Sequence, residues 1–221
     1  MNEFAQAFVD SRDAVCELAA SVRADEWEKI SPLTPAWRVR EVLAHLVGVS
    51  SDVSVRNLPT GDMNEWTRRQ VALGAGLSVD ELVNRWLDLA IENVVNDGFG
   101  LLVYDQVTHE YDIRYALERP GPPSSPRVRL AATSSLDWLG SSSTVTFRFR
   151  FDGERYEVGD GPEIVELETS HFEFMRLRAG RRSWAEILEL PWRGDVDAVR
   201  ECLFGNGFFS PASFRVDEAT A

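Results

Sequence analysis

Thiols, histidines, long apolar runs and basic surplus are all scarce in this 221-residue chain, and each scarcity removes a class of function. Only two cysteines occur, Cys16 and Cys202, far apart and without CxxC spacing, which argues against a disulfide framework or a thiolate metal site. Cys16 borders the apolar stripe of the first expected helix and reads as a small core residue rather than a nucleophile. No apolar run approaches the roughly 20 residues of a membrane span. The N-terminal residues lack the basic start and apolar core of a signal peptide, so a soluble, cytoplasmic protein is expected. A formal net charge of -13 repels a phosphate backbone, and the four arginines of Arg176–Arg182 do not offset it, so nucleic acid is not an expected partner. That arginine cluster reads as a solvated patch on an acidic protein.

What is present suffices for a substantial core, with 44% hydrophobic residues including 7 Trp and 12 Phe. The length exceeds the commonest domain size of about 100 to 150 residues. Apolar spacing predicts helices over about 3–24, 34–56, 78–96 and 101–117, the second opened by Thr34-Pro35 and the third by a capping box of Ser78 and Glu81. Trp27, Trp37 and Trp86 read as core, and Trp66 falls in a segment read as irregular. The proline-rich stretch 119–126 is the linker, dividing 1–120 from 127–221. Beyond it Val145, Phe147, Phe149 and Phe151 alternate with polar residues up to an Asp152-Gly153 hairpin turn. A strand near 164–167 and helices near 169–179, 184–190 and 195–204 complete the pattern. The expected fold is α+β in two domains: a four-helix bundle, then a small α+β domain with an antiparallel sheet.

Histidine occurs only three times, as His45, His109 and His171. On the fourth helix Asp105, His109 and Asp112 lie within about 60° of one another at 100° per residue, on a face shared with Leu102, Ala116 and Ile113. On the second helix His45 flanks the apolar stripe, with Asp52 two turns away on nearly the same face. Two imidazoles and a carboxylate from two helices suit Zn(II), Fe(II), Ni(II) or Mn(II) and leave positions open for water or substrate. The same spacing also fits two ordinary boundary histidines and a solvated Asp105. His171 opens a helix with only Glu173 as a ligand-like neighbour and reads as a boundary residue.

The segments Trp37–Leu46 (WRVREVLAHL), Asn64–Arg68 (NEWTR), His109–Leu117 (HEYDIRYAL) and Phe172–Ser183 (FEFMRLRAGRRS) together resemble the mycothiol-dependent maleylpyruvate isomerase family, part of the wider DinB-like metalloproteins. The resemblance implies a divalent metal, zinc first, with nickel, iron or manganese as alternatives, held by His45, Asp105 and His109. The family pattern is an acid-x-x-x-histidine pair whose acid is glutamate in the isomerase that names it, so Asp105 is one methylene short and either draws its helix closer or reaches the metal through water. Asp112 is then the reserve ligand or a carboxylate orienting an imidazole.

The resemblance further implies mycothiol as co-substrate and a small electrophile as substrate, in an isomerase or thiol transferase that is a monomer or homodimer. Asp112 and Asp52 are the candidate proton acceptors. Arg114 either ion-pairs locally or binds an acidic substrate, and Arg68 and Trp66 are candidates for the thiol-binding side. Two other classes fit the residues: a metal-binding protein without turnover that holds an apolar ligand on the sheet of the second domain, and a structural or regulatory partner protein.

Overall fold

The computed structural model describes residues 1–91, 95, 100–205, 209–216 and 218. It divides into two compact units, Met1–Gly121 and Pro122–Ala221.

The first unit is a helical bundle of α1 (Glu3–Ala19), α2 (Val39–Ser54), α3 (Met63–Gly74), α4 (Val79–Leu87) and α5 (Gly100–Ala116), with a short 3₁₀ turn at Glu26–Glu28. Helix α2 is central and packs against α3, α4 and α5, while α1 packs on α5. Leu43, Leu46, Leu82, Trp86 and Phe8 are fully enclosed between them.

Helix α2 begins at Val39 rather than at Thr34. Thr34 spends its hydroxyl on Ser31 Oγ (2.7 Å), Ile30 and Arg38 form a β-bridge, and the Arg38 amide donates to Glu41 Oε2 (2.7 Å), so the first turn closes four residues later. The Ser78–Glu81 capping box of α4 forms as expected, with the Ser78 amide donating to Glu81 Oε2 (2.7 Å). That helix ends at Leu87, and its expected end near 96–98 lies outside the described residues.

Helix α3 has no counterpart among the expected helices, and it places Trp66 in a helix rather than an irregular segment. Asp62 caps it by accepting from the Asn64 amide (2.8 Å). Its buried residues are Gln70 and Gly74, neither of which registers as an apolar stripe. A Cβ on Gly74 would lie 2.5 Å from Ala44 Cβ, and one on Gly48 would lie 2.5 Å from Gln70 Cβ. The pairs 44/74 and 48/70 run in opposite senses, so α3 lies antiparallel to α2 and the two approach through small residues.

The second unit opens with α6 (Pro126–Ser134) and α7 (Leu136–Ser142), two further helices beyond those expected. Ser125 caps α6 from the end of the proline stretch, with Pro126 in the first turn, where its missing N–H costs nothing. Strands β1 (Thr146–Phe151), β2 (Glu154–Val158) and β3 (Ile164–Thr169) form a sheet of order β2-β1-β3. The β1–β2 hairpin is antiparallel, and β3 joins the other edge of β1 in parallel register. Asp152 and Gly153 both have positive φ (49° and 91°), as a two-residue hairpin turn requires. Helices α8 (His171–Arg178), α9 (Trp184–Glu189) and α10 (Val196–Phe204) follow.

The phenylalanine face of the sheet is enclosed by its own unit. Phe147, Phe149 and Phe151 stack in series, and Phe174 of α8 lies 4.8 Å from Phe149 and 4.5 Å from Phe151 between ring centroids. The opposite face is charged, with Arg148 bonded to Glu157 (2.8 Å). The sheet thus presents no open apolar surface for a ligand among the described residues.

The Arg176, Arg178, Arg181 and Arg182 side chains are buried, not the solvated patch expected. Arg182 bonds both Glu173 (2.6 Å) and Glu218 (2.7 Å), Arg176 reaches Glu218 (2.7 Å), and Arg178 lies 4.5 Å over the Trp138 ring. Their aliphatic stems pack as core; carboxylates meet the heads of Arg176 and Arg182, while Arg178 and Arg181 donate to the Leu203 and Ala179 carbonyls. His171 is buried too. Its ring meets Asp152 (2.7 Å) and the Tyr156 hydroxyl (3.1 Å), tying α8 to the hairpin turn.

Candidate metal centre

Helix α5 is polar on two sides. One side ties it to α1: Glu110, fully buried, accepts from Ser11 Oγ (2.8 Å) and pairs with Arg114 (2.9 Å), while Gln106 donates to the Phe8 carbonyl (2.7 Å). Arg114 is therefore engaged locally. The other side carries Asp105, His109 and Asp112, and faces His45 of α2.

There the structure brings His45, Asp105 and His109 together, with one ligand atom of each lying within 4.8 Å of the others. Asp105 Oδ2 is 3.5 Å from His45 Nε2, and its Oδ1 is 3.6 Å from His109 Nε2. These distances are long for hydrogen bonds. Each imidazole meets a different oxygen of the carboxylate, at separations close to the about 3.4 Å between neighbouring ligands of a tetrahedral ion with bonds of about 2.1 Å. The histidine side chains are 5% and 9% exposed and that of Asp105 is 34% exposed, so the carboxylate marks the open side.

The outer ring nitrogens explain which way the lone pairs point. His109 Nδ1 lies 2.9 Å from Asp112 Oδ2, and the Asp112 side chain is fully buried. A carboxylate accepts only, so Nδ1 carries the proton and Nε2 of the neutral ring offers its lone pair toward Asp105. Burial pushes the His109 pKa below its ordinary value; the Asp112 bond pulls the other way without reversing it. His45 Nδ1 lies 3.1 Å from the Gln70 amide oxygen, which likewise leaves Nε2 facing inward. Nitrogen and carboxylate acceptors facing one another form a donor set suited to a divalent cation.

Asp112 thus sits behind His109 rather than on the inner side of the cluster. Asp52 lies further out, accepting from Gln70 Nε2 (3.1 Å) and Asn57 Nδ2 (2.7 Å). Trp66 is half-buried on α3, one turn before Gln70 on the same face, with its indole N–H buried and without a partner among the described residues. Arg68 is exposed and its Nε donates to the Asn64 carbonyl of its own helix (3.1 Å). Burial, with Asp13 adding to it, pushes the Cys16 thiol up to about 11, which keeps it protonated at neutral pH.

Two residues at this site were missed. Trp37, expected in the core, is half-buried with its ring 5.1 Å from His45 and 6.1 Å from His109. Its position at the head of the WRVREVLAHL segment was the available signal. Gln70 gave none, since a lone glutamine in a polar stretch is indistinguishable from a surface residue.

Fold and site together define the class: a helical bundle with a two-helix His/Asp/His cluster, followed by a small α+β unit. Residues 8–94 match the model of the mycothiol maleylpyruvate isomerase N-terminal domain. Crystal structures of the mycothiol-dependent maleylpyruvate isomerase and of an alanine variant of it share the fold. Each is 14% identical, with a TM-score of 0.52, over 81% of this chain and 88% of theirs. The curated proteins include no match. No helix among the described residues is long and apolar enough to cross a membrane.

Proposed function

We propose that this protein is a divalent-metal-dependent enzyme in which a low-molecular-weight thiol of the mycothiol type attacks a small electrophile. The observation that carries this reading is the convergence of two imidazole lone pairs and the Asp105 carboxylate at ligand spacing, on a fold shared with a mycothiol-dependent isomerase. His45, Asp105 and His109 are the ligands, and zinc is the first candidate among the divalent ions that accept two imidazoles and a carboxylate with open positions remaining. An ion held there supplies Lewis acidity, lowering the pKa of a thiol that enters from the open side.

The protein's own residues prepare that side. Asp112 holds His109 in the Nδ1–H tautomer, and Trp37 covers one flank of both imidazoles and keeps water from it. Trp66, with its buried indole N–H, and exposed Arg68 offer α3 donors to the polar groups of the thiol. In an isomerase a carbon–sulfur bond forms at a conjugated double bond, the resulting single bond rotates, and the carbon–sulfur bond breaks to release thiol and isomer. In a transferase the bond persists and the electrophile takes up the proton.

Elemental analysis of protein purified without added metal is expected to show about one equivalent of divalent ion, lost in His45→Ala and His109→Ala. Equal, negligible metal in wild type and variants rejects the reading. Metal without thiol-dependent turnover across maleylpyruvate-like electrophiles restricts it to binding.

A further inference from the structure

We propose that Gln70, clamped by Asp52, is the residue that sets the tautomer of His45, a positioning role resting on the metal reading above. Along α2, His45, Gly48 and Asp52 stand at i, i+3 and i+7 and form one stripe, and all three meet Gln70 of α3. Gln70 is 1% exposed, so its amide has no water to choose instead.

An amide can turn either end toward a neighbour. Here Asp52 decides. Its carboxylate only accepts: Asn57 Nδ2 donates to Oδ1 (2.7 Å) and the Gln70 NH₂ to Oδ2 (3.1 Å), with the Arg69 guanidinium 3.9 Å from the same Oδ2. The Gln70 oxygen is then the end that faces His45, at 3.1 Å from Nδ1, and it accepts. Nδ1 therefore carries the proton and the Nε2 lone pair turns toward Asp105. A reversed amide would place NH₂ against Nδ1, put the proton on Nε2 and block ligation.

Gly48 makes the seat possible. A Cβ there would lie 2.5 Å from Gln70 Cβ and 3.1 Å from its Cα, so any other residue displaces the amide. The two imidazoles are thus oriented by different means: His109 directly by a carboxylate on its own helix, His45 through a neutral amide borrowed from α3 and oriented by a carboxylate on α2.

The test is Zn(II) affinity by chelator competition, with ¹⁵N spectra of the metal-free imidazoles as an activity-independent readout. Gln70→Leu is expected to bind about 10- to 100-fold more weakly, the range for loss of a group orienting a ligand. Asp52→Asn, which preserves shape, is expected to weaken binding by about tenfold and to mix the His45 tautomers, because the amide introduced at that position satisfies either end of Gln70. Gln70→Glu combined with Asp52→Asn restores binding, since the carboxylate introduced on α3 accepts both from Nδ1–H of His45 and from the amide introduced on α2. Unchanged affinity in Asp52→Asn and Gln70→Leu, or a double variant no better than Asp52→Asn, overturns the proposal while leaving the metal reading intact. Wild type that binds no Zn(II) overturns both.

Discussion

Two clusters of buried ionisable groups, one in each unit, are built in opposite ways. In the C-terminal unit, Arg176 and Arg182 enclose Glu218 and Glu173, and each buried head meets a charge of opposite sign within hydrogen-bond distance. In the N-terminal unit, the inner faces of His45, Asp105 and His109 are all acceptors, while the hydrogen-bond donors of both rings are spent outward on Gln70 and Asp112. The first arrangement is complete in itself and serves cohesion. The second gathers negative and lone-pair character at an opening, which is how a protein prepares a site for a cation. Burial of charge is therefore no guide to function until the sign and direction of each partner are known.

Substitutions that separate the two roles sharpen this contrast. Arg182→Ala is expected to have the largest effect on folding, about 3 kcal/mol in denaturant unfolding, because it leaves Glu218 and Glu173 short of a partner. Metal content should not change. Burial opposes its charge, yet Glu173 and Glu218 raise the Arg182 pKa, so this cost should persist across the neutral range. Loss of metal in this variant would break the comparison.

Gly48→Ala comes next. Overpacking against Gln70 is expected to cost about 1–3 kcal/mol in thermal or chemical unfolding and to lower Zn(II) affinity in parallel. A stability loss with full affinity would detach the helix contact from the site. Asp112→Asn should barely move the unfolding midpoint but weaken metal binding about 10- to 100-fold, equivalent to about 1.4–2.7 kcal/mol, since its amide no longer compels the His109 tautomer.

The smallest effect belongs to an exposed pair. The Arg129 guanidinium, with the Tyr156 hydroxyl, holds the Glu154 carboxyl down to about 2. Its folded pKa lies below the ordinary value of 4.5, so any stabilisation is present above pH 4.5 and fades as the pH falls toward 2. Arg129→Ala should flatten that part of the acid unfolding curve, and the metal centre should not respond.

Much of the site was legible from local spacing. Asp105, His109 and Asp112 share a face because three- and four-residue steps do so on any helix, and His45 flanks an apolar stripe for the same reason. The α4 capping box and the Asp152-Gly153 turn were equally local: each is decided by side chains within four residues. Helix α3 was not legible, because it docks through Gln70 and Gly74 and shows no apolar stripe. The arginines of the 176–182 cluster misled for a related reason. Their carboxylate partners include Glu218, distant in sequence, and composition alone does not place it.

The sequence by itself determined the ligand types and the helix faces that carry them, since backbone periodicity converts spacing into direction. Only the tertiary structure decided that α3 lies against α2, that Gln70 fills the recess at Gly48, and that Trp37 covers the imidazoles. Those features depend on contacts between residues far apart in the chain. The direction of the His45 lone pair depends in turn on an amide whose orientation is set by a third residue.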